Sequence, residues 1–275
     1  MYQQNEDKAE KFNEAIAKLM ELWQEGKVSE NVSVAIIARQ KNDRPSSTWS
    51  VGNRMIMQVV GGTDDARGMN QWNMVKRKVN KGEKSFSIWG PLFKKYTNDK
   101  NEEVSYCYGF KAIPVFAKET TDGEPIVYPD HKPLVLPPLY DVAASMGIEV
   151  EYIPHRGFDA THTVTEEQAK IKLATHDAPV FLKEIVNVLY ERIQTARDKK
   201  YPDRKRTQTA DSIMEGKSVI DLSTAVICDM YGLEGYTMMP WNQMQDYFSR
   251  KPDDVLRVMT KLMSETEEIV SELMK

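Results

Sequence analysis

The chain has 275 residues, a formal net charge of −4 and a charged fraction of 28%, which is typical of a globular protein with one large or two modest domains. This acidity excludes a protein that coats duplex DNA through bulk positive charge, so any nucleic-acid contact requires a local basic patch. The sequence contains no apolar run near the roughly 20 residues that span a bilayer, and its start lacks the layout of a signal peptide. We therefore expect a cytoplasmic protein without membrane contact, whose distant Cys107 and Cys228 are reduced thiols.

The first half of the chain predicts helices followed by a small antiparallel sheet. Apolar residues recur there at the spacing of one helix face, and further on polar and apolar residues alternate as in a strand. The predicted elements are helices over 5–25, 51–60 and 70–79, a helix or strand over 32–38, and strands over 84–89 and 105–116.

The second half predicts a mostly helical domain after a proline-rich passage. Proline cannot donate to a strand ladder, so the linker between domains 1–128 and 139–275 is expected within residues 125–138. The elements predicted beyond it are helices over 139–146, 178–197, 218–231 and 252–274, a strand over 148–153, and a helix beginning at Thr165 in the segment 165–174. The fold class is therefore α+β, with N-terminal helices and a small antiparallel sheet before the mostly helical domain.

Residues 67–95 concentrate positive charge in this acidic chain. They include eight Lys or Arg and one acid, Glu83, together with the aromatic residues Trp72, Phe86 and Trp89. The sequence Asn80-Lys81-Gly82-Glu83 predicts a turn in which Gly82 takes a positive φ. Cations on such a hairpin would neutralise phosphates and exposed rings would stack on bases, which suits a single nucleic-acid strand. The alternative is that the rings are core and the lysines form a solvated face.

Several motifs in the first half occur at spacings that match a known domain. They are Trp49-Ser50-x-x-Asn53, Gln58, Trp72, Val79-Asn80-Lys81-Gly82-Glu83-Lys84, Ile88-x-x-Pro91, Phe110 and Val115-Phe116. Together they resemble the N-terminal domain of ArdC-type antirestriction proteins. That domain binds single-stranded DNA and is found on plasmids, conjugative elements and phages. The resemblance departs from the family at Val59-Val60-Gly61-Gly62, where the family has a loop that contains proline.

The resemblance implies a single-stranded-DNA-binding protein of a mobile element or phage that serves antirestriction or DNA protection. A host or element-encoded protein is a further expected partner. The alternation of residues 84–89 places Trp89 opposite Phe86 and Ile88, so Trp89 is predicted to be an exposed ring and Trp72 a core residue. The full set of predicted nucleic-acid contacts is Trp49, Asn53, Trp72, Lys76, Arg77, Lys81, Lys84, Trp89, Lys94 and Lys95.

The resemblance continues into the second half, where the family has a zinc-metallopeptidase-like domain with an H-E-x-x-H helix. Two His at i and i+4 reach one metal, the Glu acts as general base, and an acid on the next helix is the third ligand. The matching positions here are Lys183, Glu184 and Asn187, with Asp221 on the next helix, so only the Glu remains. This departure predicts no metal, no cofactor and no catalytic residue. Glu184 and Asp221 are then either simple remnants, or Asp221 forms an ion pair with Lys183 in place of the metal.

Two alternatives stay open. One of the histidines, His131, His155, His162 or His176, could rebuild a metal site and give an active zinc metallopeptidase with displaced ligands. The chain could instead be an interaction module that inhibits a host defence enzyme, with its acidic surface imitating DNA.

Overall fold

The computed structural model of the chain shows two compact units. The first consists of Met1–Glu25 and Ile37–His131, and the second of Gly26–Ile36 and Lys132–Lys275. The structure describes residues 2–39, 43–97, 101, 103–129, 135–202, 209–239, 243 and 255–275, with side chains described from residue 13 in the first helix and from residue 258 in the last. Helices and small sheets build the chain, so the predicted α+β class is confirmed.

The N-terminal part of the chain is helical, and a long β-hairpin follows it. The elements are α1 (Tyr2–Gln24), α2 (Val28–Arg39), a 3₁₀ turn (Pro45–Thr48), α3 (Val51–Val59), β1 (Ala66–Arg67), α4 (Met69–Met74), β2 (Arg77–Val79), β3 (Phe86–Thr97), β4 (Glu103–Ala117) and β5 (Thr121–Gly123). The predicted helices over 5–25 and 51–60 are confirmed, and the ambiguous stretch 32–38 is helical.

Strand β4 is the centre of the larger sheet, with β1 on one side and β3 on the other, and β2 pairs with β5. All of these pairings are antiparallel. A bulge interrupts the β3–β4 hairpin, because Leu92 pairs with Gly109 but Phe93 pairs with Cys107, which leaves Tyr108 without a partner across the ladder. Every residue of β3 from Phe93 onward is exposed, so the packed part of the hairpin ends at the bulge.

The inner half of β3 is buried on both of its faces. Residues Ser87 to Gly90 are buried in succession, and both α1 and α3 contact this strand. The side chain of Trp89 is only 4% exposed. The prediction that Trp89 is an exposed ring is therefore wrong, because polar–apolar alternation marks a solvent face only where no other element packs on the strand. Trp72 is fully buried and donates its ring N–H to the carbonyl of Phe116 at 3.0 Å, which confirms it as a core residue.

Helix α4 is shorter than the predicted helix over 70–79. It ends at Met74, and Lys76 then adopts a left-handed φ of 57°, which reverses the chain. The next residues form β2, which pairs with β5 far downstream. Helical spacing alone could not reveal that partner, and the backbone hydrogen bonds of the pairing prevail over the local helical preference.

The second unit combines a three-stranded sheet with long helices. Its elements are α5 (Leu139–Ser145), β6 (Ile148–Tyr152), β7 (Ala160–Val164), β8 (Ala169–Leu173), α6 (Ala178–Lys200), α7 (Ala210–Tyr231) and α8 (Val255–Leu273), together with the first residues of α2. The strand order is β6–β8–β7, with β6 parallel and β7 antiparallel to β8. Helix α6 contacts β7, β8, α7 and α8, so it is the central helix of this unit.

Most of the predicted elements of this half are found, with two differences. Helix α7 begins at Ala210 rather than at residue 218. The segment 165–174 is a turn followed by β8 and not a helix. The backbone N–H of Gln168 donates to the Thr165 hydroxyl at 3.1 Å, so the hydrogen bond that Thr makes at a helix N-terminus here closes a turn. Residues 252–254 of the predicted last helix and residues 130–134 of the predicted linker lie outside the described residues, and residues 125–129 and 135–138 have neither helix nor strand.

One side chain joins α3 to the inner half of the hairpin. The amide of Asn53 donates to the carbonyl of Trp89 and accepts from its backbone N–H, both at 2.8 Å, and this amide is buried. The two hydrogen bonds satisfy the backbone of Trp89 on the side where α3 covers the strand.

Replacing Asn53 by Ala would leave a buried N–H and a buried C=O without partners. We expect the free energy of unfolding to fall by about 2–4 kcal/mol, since each orphaned buried group costs about 1–3 kcal/mol. Urea unfolding followed by tryptophan fluorescence measures the change. Asn53→Asp retains an oxygen for the Trp89 N–H but places a buried carboxyl group against the Trp89 carbonyl, so it should not restore the parental stability. A loss below about 0.5 kcal/mol for Asn53→Ala, the range of neutral surface changes, would contradict this role.

Candidate functional site

The predicted turn of the basic stretch is present between β2 and β3. The amide of Glu83 donates to the carbonyl of Asn80 at 3.3 Å, and Gly82 has a φ of 94°, as predicted. Lys81 and Lys84 flank this glycine and are both exposed. Within the described residues, neither lysine has an acidic partner, so both ammonium groups are available to an anion.

Three of the other predicted cations bind groups of the first unit. Lys76 pairs with Glu124 and Lys95 pairs with Glu103, each at 3.0 Å on the surface. Arg77 donates to the Thr121 hydroxyl at 2.9 Å and to backbone carbonyls of the β5 region. Exposed ion pairs contribute little to stability, so Lys76 and Lys95 can exchange their acids for phosphate, whereas Arg77 holds β2 to β5.

Arg67, the first cation of the basic stretch, is also bound within the protein. Its guanidinium donates to both carboxylate oxygens of Asp65, the shortest contact being 2.7 Å, and Tyr128 donates to the same carboxylate at 2.7 Å. Asp65 is fully buried, so this charge needs its partner inside the fold. Burial and the bond to Asp65 raise the pKa of Tyr128.

Three predicted contacts are corrected because their side chains lie inside the fold. Asn53, Trp72 and Trp89 are 6%, 0% and 4% exposed, and Asn53 and Trp72 bond the backbone of the first unit. A nucleic acid on the surface cannot reach them. Trp49 is half-buried, and its carbonyl accepts a hydrogen bond from Arg54. The motif positions shared with the ArdC-type domain thus include residues that build the fold.

Sequence reasoning missed the exposed rings of the outer hairpin. Phe93, Tyr96, Tyr106 and Tyr108 are between 45% and 61% exposed. Tyr96 and Tyr106 meet edge to face with ring centroids 5.6 Å apart, and the ammonium of Lys94 lies 4.6 Å from the Tyr108 ring centroid. The available signal was the length of the hairpin, since twelve residues in β3 exceed what the core covers.

The remnant metal positions in the second unit do not form the predicted ion pair. Lys183 is exposed on α6, and Asn187 is half-buried. Asp221 on α7 instead accepts hydrogen bonds from the Tyr236 hydroxyl and from the backbone N–H of Met239, both at 2.6 Å. The predicted Lys183–Asp221 pair is wrong, because two neutral donors satisfy the carboxylate without the cost of burying an ammonium group. Burial, followed by the bond to Asp221, raises the pKa of Tyr236.

Glu184, the residue at the general-base position, is bound to a histidine. His162 on β7 contacts the Glu184 carboxylate through Nδ1, and its Nε2 lies 3.2 Å from Glu191 Oε1, on the same face of α6 about two turns further along. The bond to Glu184 raises the pKa of His162, although burial of the ring opposes this. These contacts tie β7 to α6, and in its imidazolium form the ring also forms an ion pair with the Glu184 carboxylate.

The donor groups at the remnant positions do not fit a zinc ion. An ammonium group cannot ligate a metal, and both carboxylate oxygens of Asp221 already accept hydrogen bonds. His155 lies 3.7 Å from Asp159 at the surface, and His176 lies beside the Tyr152 ring. His131 lies outside the described residues. In the part of the chain that the structure describes, no group of three or more His, Cys, Asp or Glu side chains is arranged to hold a metal ion.

The chain has structural similarity to two solved structures of one antirestriction protein. Among solved structures, the chain is similar to the metal-free crystal structure of the antirestriction protein ArdC from plasmid R388, with a TM-score of 0.49 and 16% identity over 92% of this chain and 96% of that chain. The Mn(II)-bound structure of the same ArdC protein matches with a TM-score of 0.49 and 17% identity over 82% of each chain. No protein-family model and no curated protein sequence matches the chain. The structural neighbours thus carry the name of the family that the sequence resembles.

No helix among the described residues combines the length and the apolar character that a membrane span requires.

The raised pKa of His162 makes one part of the folding stability depend on pH. A group whose pKa is higher in the folded state stabilises the fold fully below its unfolded value, about 6.5 for His, and loses that contribution as pH rises through the folded value. We therefore expect His162→Gln to lower the free energy of unfolding more at acidic pH than at alkaline pH. Urea titrations across this range measure the difference. A pH-independent effect of His162→Gln would argue against the charged ring.

Proposed function

We propose that this chain binds single-stranded DNA through the basic stretch of its first unit, residues 67–95, which includes the turn between β2 and β3 and most of strand β3. The supporting observation is that Lys81, Lys84 and Lys94 are exposed and have no acidic partner within the described residues. A charged surface group without a counter-charge is ready to neutralise a phosphate, with release of the counterion that the phosphate held. The exchangeable lysines Lys76 and Lys95 extend this set along the same part of the chain.

Because the net charge of the chain is −4, the molecule as a whole repels DNA, and only the local basic surface can bind it. Attraction by the whole molecule is ruled out, so the affinity depends on a small number of local contacts. Duplex DNA has a higher charge density but hides the faces of its bases, whereas a single strand presents both phosphates and bases. The exposed rings of the outer hairpin favour the single strand.

The biological setting follows from the resemblance to ArdC-type proteins. We propose that binding to single-stranded DNA serves antirestriction or DNA protection on a plasmid, another conjugative element or a phage. The second unit would then act as a scaffold or as the surface for a protein partner.

We further propose that the second unit has no peptidase activity. The remnant general base Glu184 faces His162 instead of a metal-bound water, and the position of the first zinc-binding His holds the exposed Lys183. Asp221 is occupied by Tyr236 and Met239. The Glu184 contact ties α6 to β7, and the Asp221 contacts tie α7 to the segment that follows it, which is a structural role.

The first test is the salt dependence of oligonucleotide binding. Each phosphate contact to a single strand contributes roughly −0.7 to the slope of log K against log salt concentration, so Lys81→Ala with Lys84→Ala should flatten the slope by about 1.4. Fluorescence anisotropy with a labelled deoxyribonucleotide of mixed sequence provides the measurement. The exposed lysines Lys183 and Lys217 of the second unit are the matched control, and their double Ala variant should keep the parental slope.

The same titration with duplex DNA completes the test. Single strands should bind more tightly than duplex at equal salt concentration. Equal affinity for the two forms, or a parental slope for the Lys81 and Lys84 variant, would show that the lysines are only a solvated face. Failure of the wild-type chain to bind any oligonucleotide would favour a module that inhibits a defence enzyme through protein contacts.

The second test concerns the metal. Purified protein is expected to contain well under one equivalent of zinc and to hydrolyse no peptide substrate, because the side chains at 183, 187 and 221 do not fit the ion. Elemental analysis after dialysis, with and without mild chelation, measures the content. The reference variant is Lys183→His with Asn187→His, which restores the two imidazoles of the motif and should bind more zinc than the parent. Stoichiometric zinc that survives chelation of the parent would overturn the non-catalytic assignment.

A further inference from the structure

The outer half of the β3–β4 hairpin has two faces of different character. Side chains alternate between the faces of a strand, and residues paired across an antiparallel ladder share a face. The register therefore assigns every residue beyond the bulge to one side or the other. Both sides are exposed to solvent on β3 from Phe93 to Thr97.

The first face has three tyrosine rings. Lys94 pairs with Tyr106, and Tyr96 pairs with Val104, so Lys94, Tyr96 and Tyr106 share it. The contact of the Lys94 ammonium with the ring of Tyr108 places the bulge residue at the same face. Lys111, which pairs with Gly90, continues this face toward the core. Here we call these residues the tyrosine face.

The opposite face has one ring and a neutralised cation. Phe93 pairs with Cys107, Lys95 with Ser105, and Thr97 with Glu103. The only lysine of this face within the described outer half, Lys95, forms its ion pair with Glu103 across the ladder. This side therefore has an exposed phenyl ring of Phe93, which is 61% exposed, but no unpaired positive charge among the described residues of the outer hairpin.

The charges distinguish the two faces as binding surfaces. On the tyrosine face, Lys94 and Lys111 are exposed, and neither has an acidic partner within the described residues. Aromatic rings at this exposure can receive the π-face of a base, while the neighbouring ammonium groups meet the phosphates. The combination of rings with unneutralised cations suits a single nucleic-acid strand better than the opposite face does, because Lys95 must first give up Glu103 before it can contact a phosphate.

We propose that the tyrosine face is where the bases of single-stranded DNA stack, with Tyr96, Tyr106 and Tyr108 as the stacking rings and Lys94 and Lys111 as phosphate contacts. This assignment rests on the proposed function and gives it a defined surface. The Trp89 ring that the sequence pattern indicated is inside the fold, and these tyrosines take the stacking role. The Phe93 face stays in solvent.

The test compares single ring variants on the two faces of the full-length chain. Tyr96→Ala and Tyr106→Ala should each weaken binding of a mixed-sequence deoxyribonucleotide about 5- to 150-fold, which corresponds to the 1–3 kcal/mol of one stacked base, and should leave the salt slope unchanged. Tyr106→Phe retains the ring and should bind as the parent does. Phe93→Ala removes a more exposed ring from the other face and should also bind as the parent does. The rings are exposed, so thermal unfolding should confirm that every variant folds like the parent.

An oligonucleotide with consecutive abasic sites tests the stacking directly. It should bind the parent more weakly than the complete strand does, and Tyr106→Ala should cause little further loss, because the base that would stack is already missing. Lys94→Ala should flatten the salt slope by about 0.7 with either oligonucleotide.

The outcomes separate this inference from the proposed function. If the wild-type chain binds single strands with a steep salt slope but the tyrosine variants keep parental affinity, or Phe93→Ala weakens binding as much as Tyr106→Ala, the tyrosine face is the wrong surface while the proposed function stands. If the wild-type chain binds no single strand, both fail. A tyrosine-specific loss that vanishes with abasic DNA supports both.

Discussion

The first unit depends on the two hydrogen bonds between the Asn53 amide and the backbone of Trp89. Through them α3 is held against the inner half of β3, and that half becomes buried on both faces. Helices α1 and α3 both contact this strand, and the Trp89 ring is enclosed there. The docking of α3 therefore decides which part of the hairpin is core and which part is surface, and all of the exposed rings of the hairpin lie beyond it.

The sequence predicted the fold well wherever local spacing and local chemistry agree. The helices α1, α3 and α6 have regular apolar spacing, and Gly82 marks its turn, because these features depend on neighbouring residues. The errors share one physical origin. The end of α4, the strand β8 and the burial of Trp89 all depend on a partner distant in the sequence, and alternation or helical spacing cannot show whether such a partner covers a segment.

The candidate site was predictable as a region but not as a set of side chains. Charge counting located the basic stretch 67–95, and Lys81, Lys84 and Lys94 within it are exposed as that reasoning requires. It could not tell these lysines from Arg67 and Arg77, which bind Asp65 and the β5 region. In the second unit, the sequence showed that the positions resembling a zinc motif lack both histidines, but it did not show which contacts Glu184 and Asp221 make instead. Glu184 contacts His162, and Asp221 accepts a hydrogen bond from Tyr236, so the two carboxylates have separate partners.

The bulge at Tyr108 has a consequence for how this hairpin can vary. Because side chains alternate with a period of two, one extra residue in β4 exchanges the two sides for every residue beyond it. With an uninterrupted ladder, Tyr106 would stand beside Lys95 and share the side of Phe93, away from Lys94 and Tyr96. Closing the bulge without any change of sequence would thus exchange the two sides of β4 beyond it, whereas deleting Tyr108 would keep the present pairs, Phe93 with Cys107 and Lys94 with Tyr106, on their present sides. The bulge at Tyr108 therefore decides which side chains of β4 share a face with Lys94 and Tyr96.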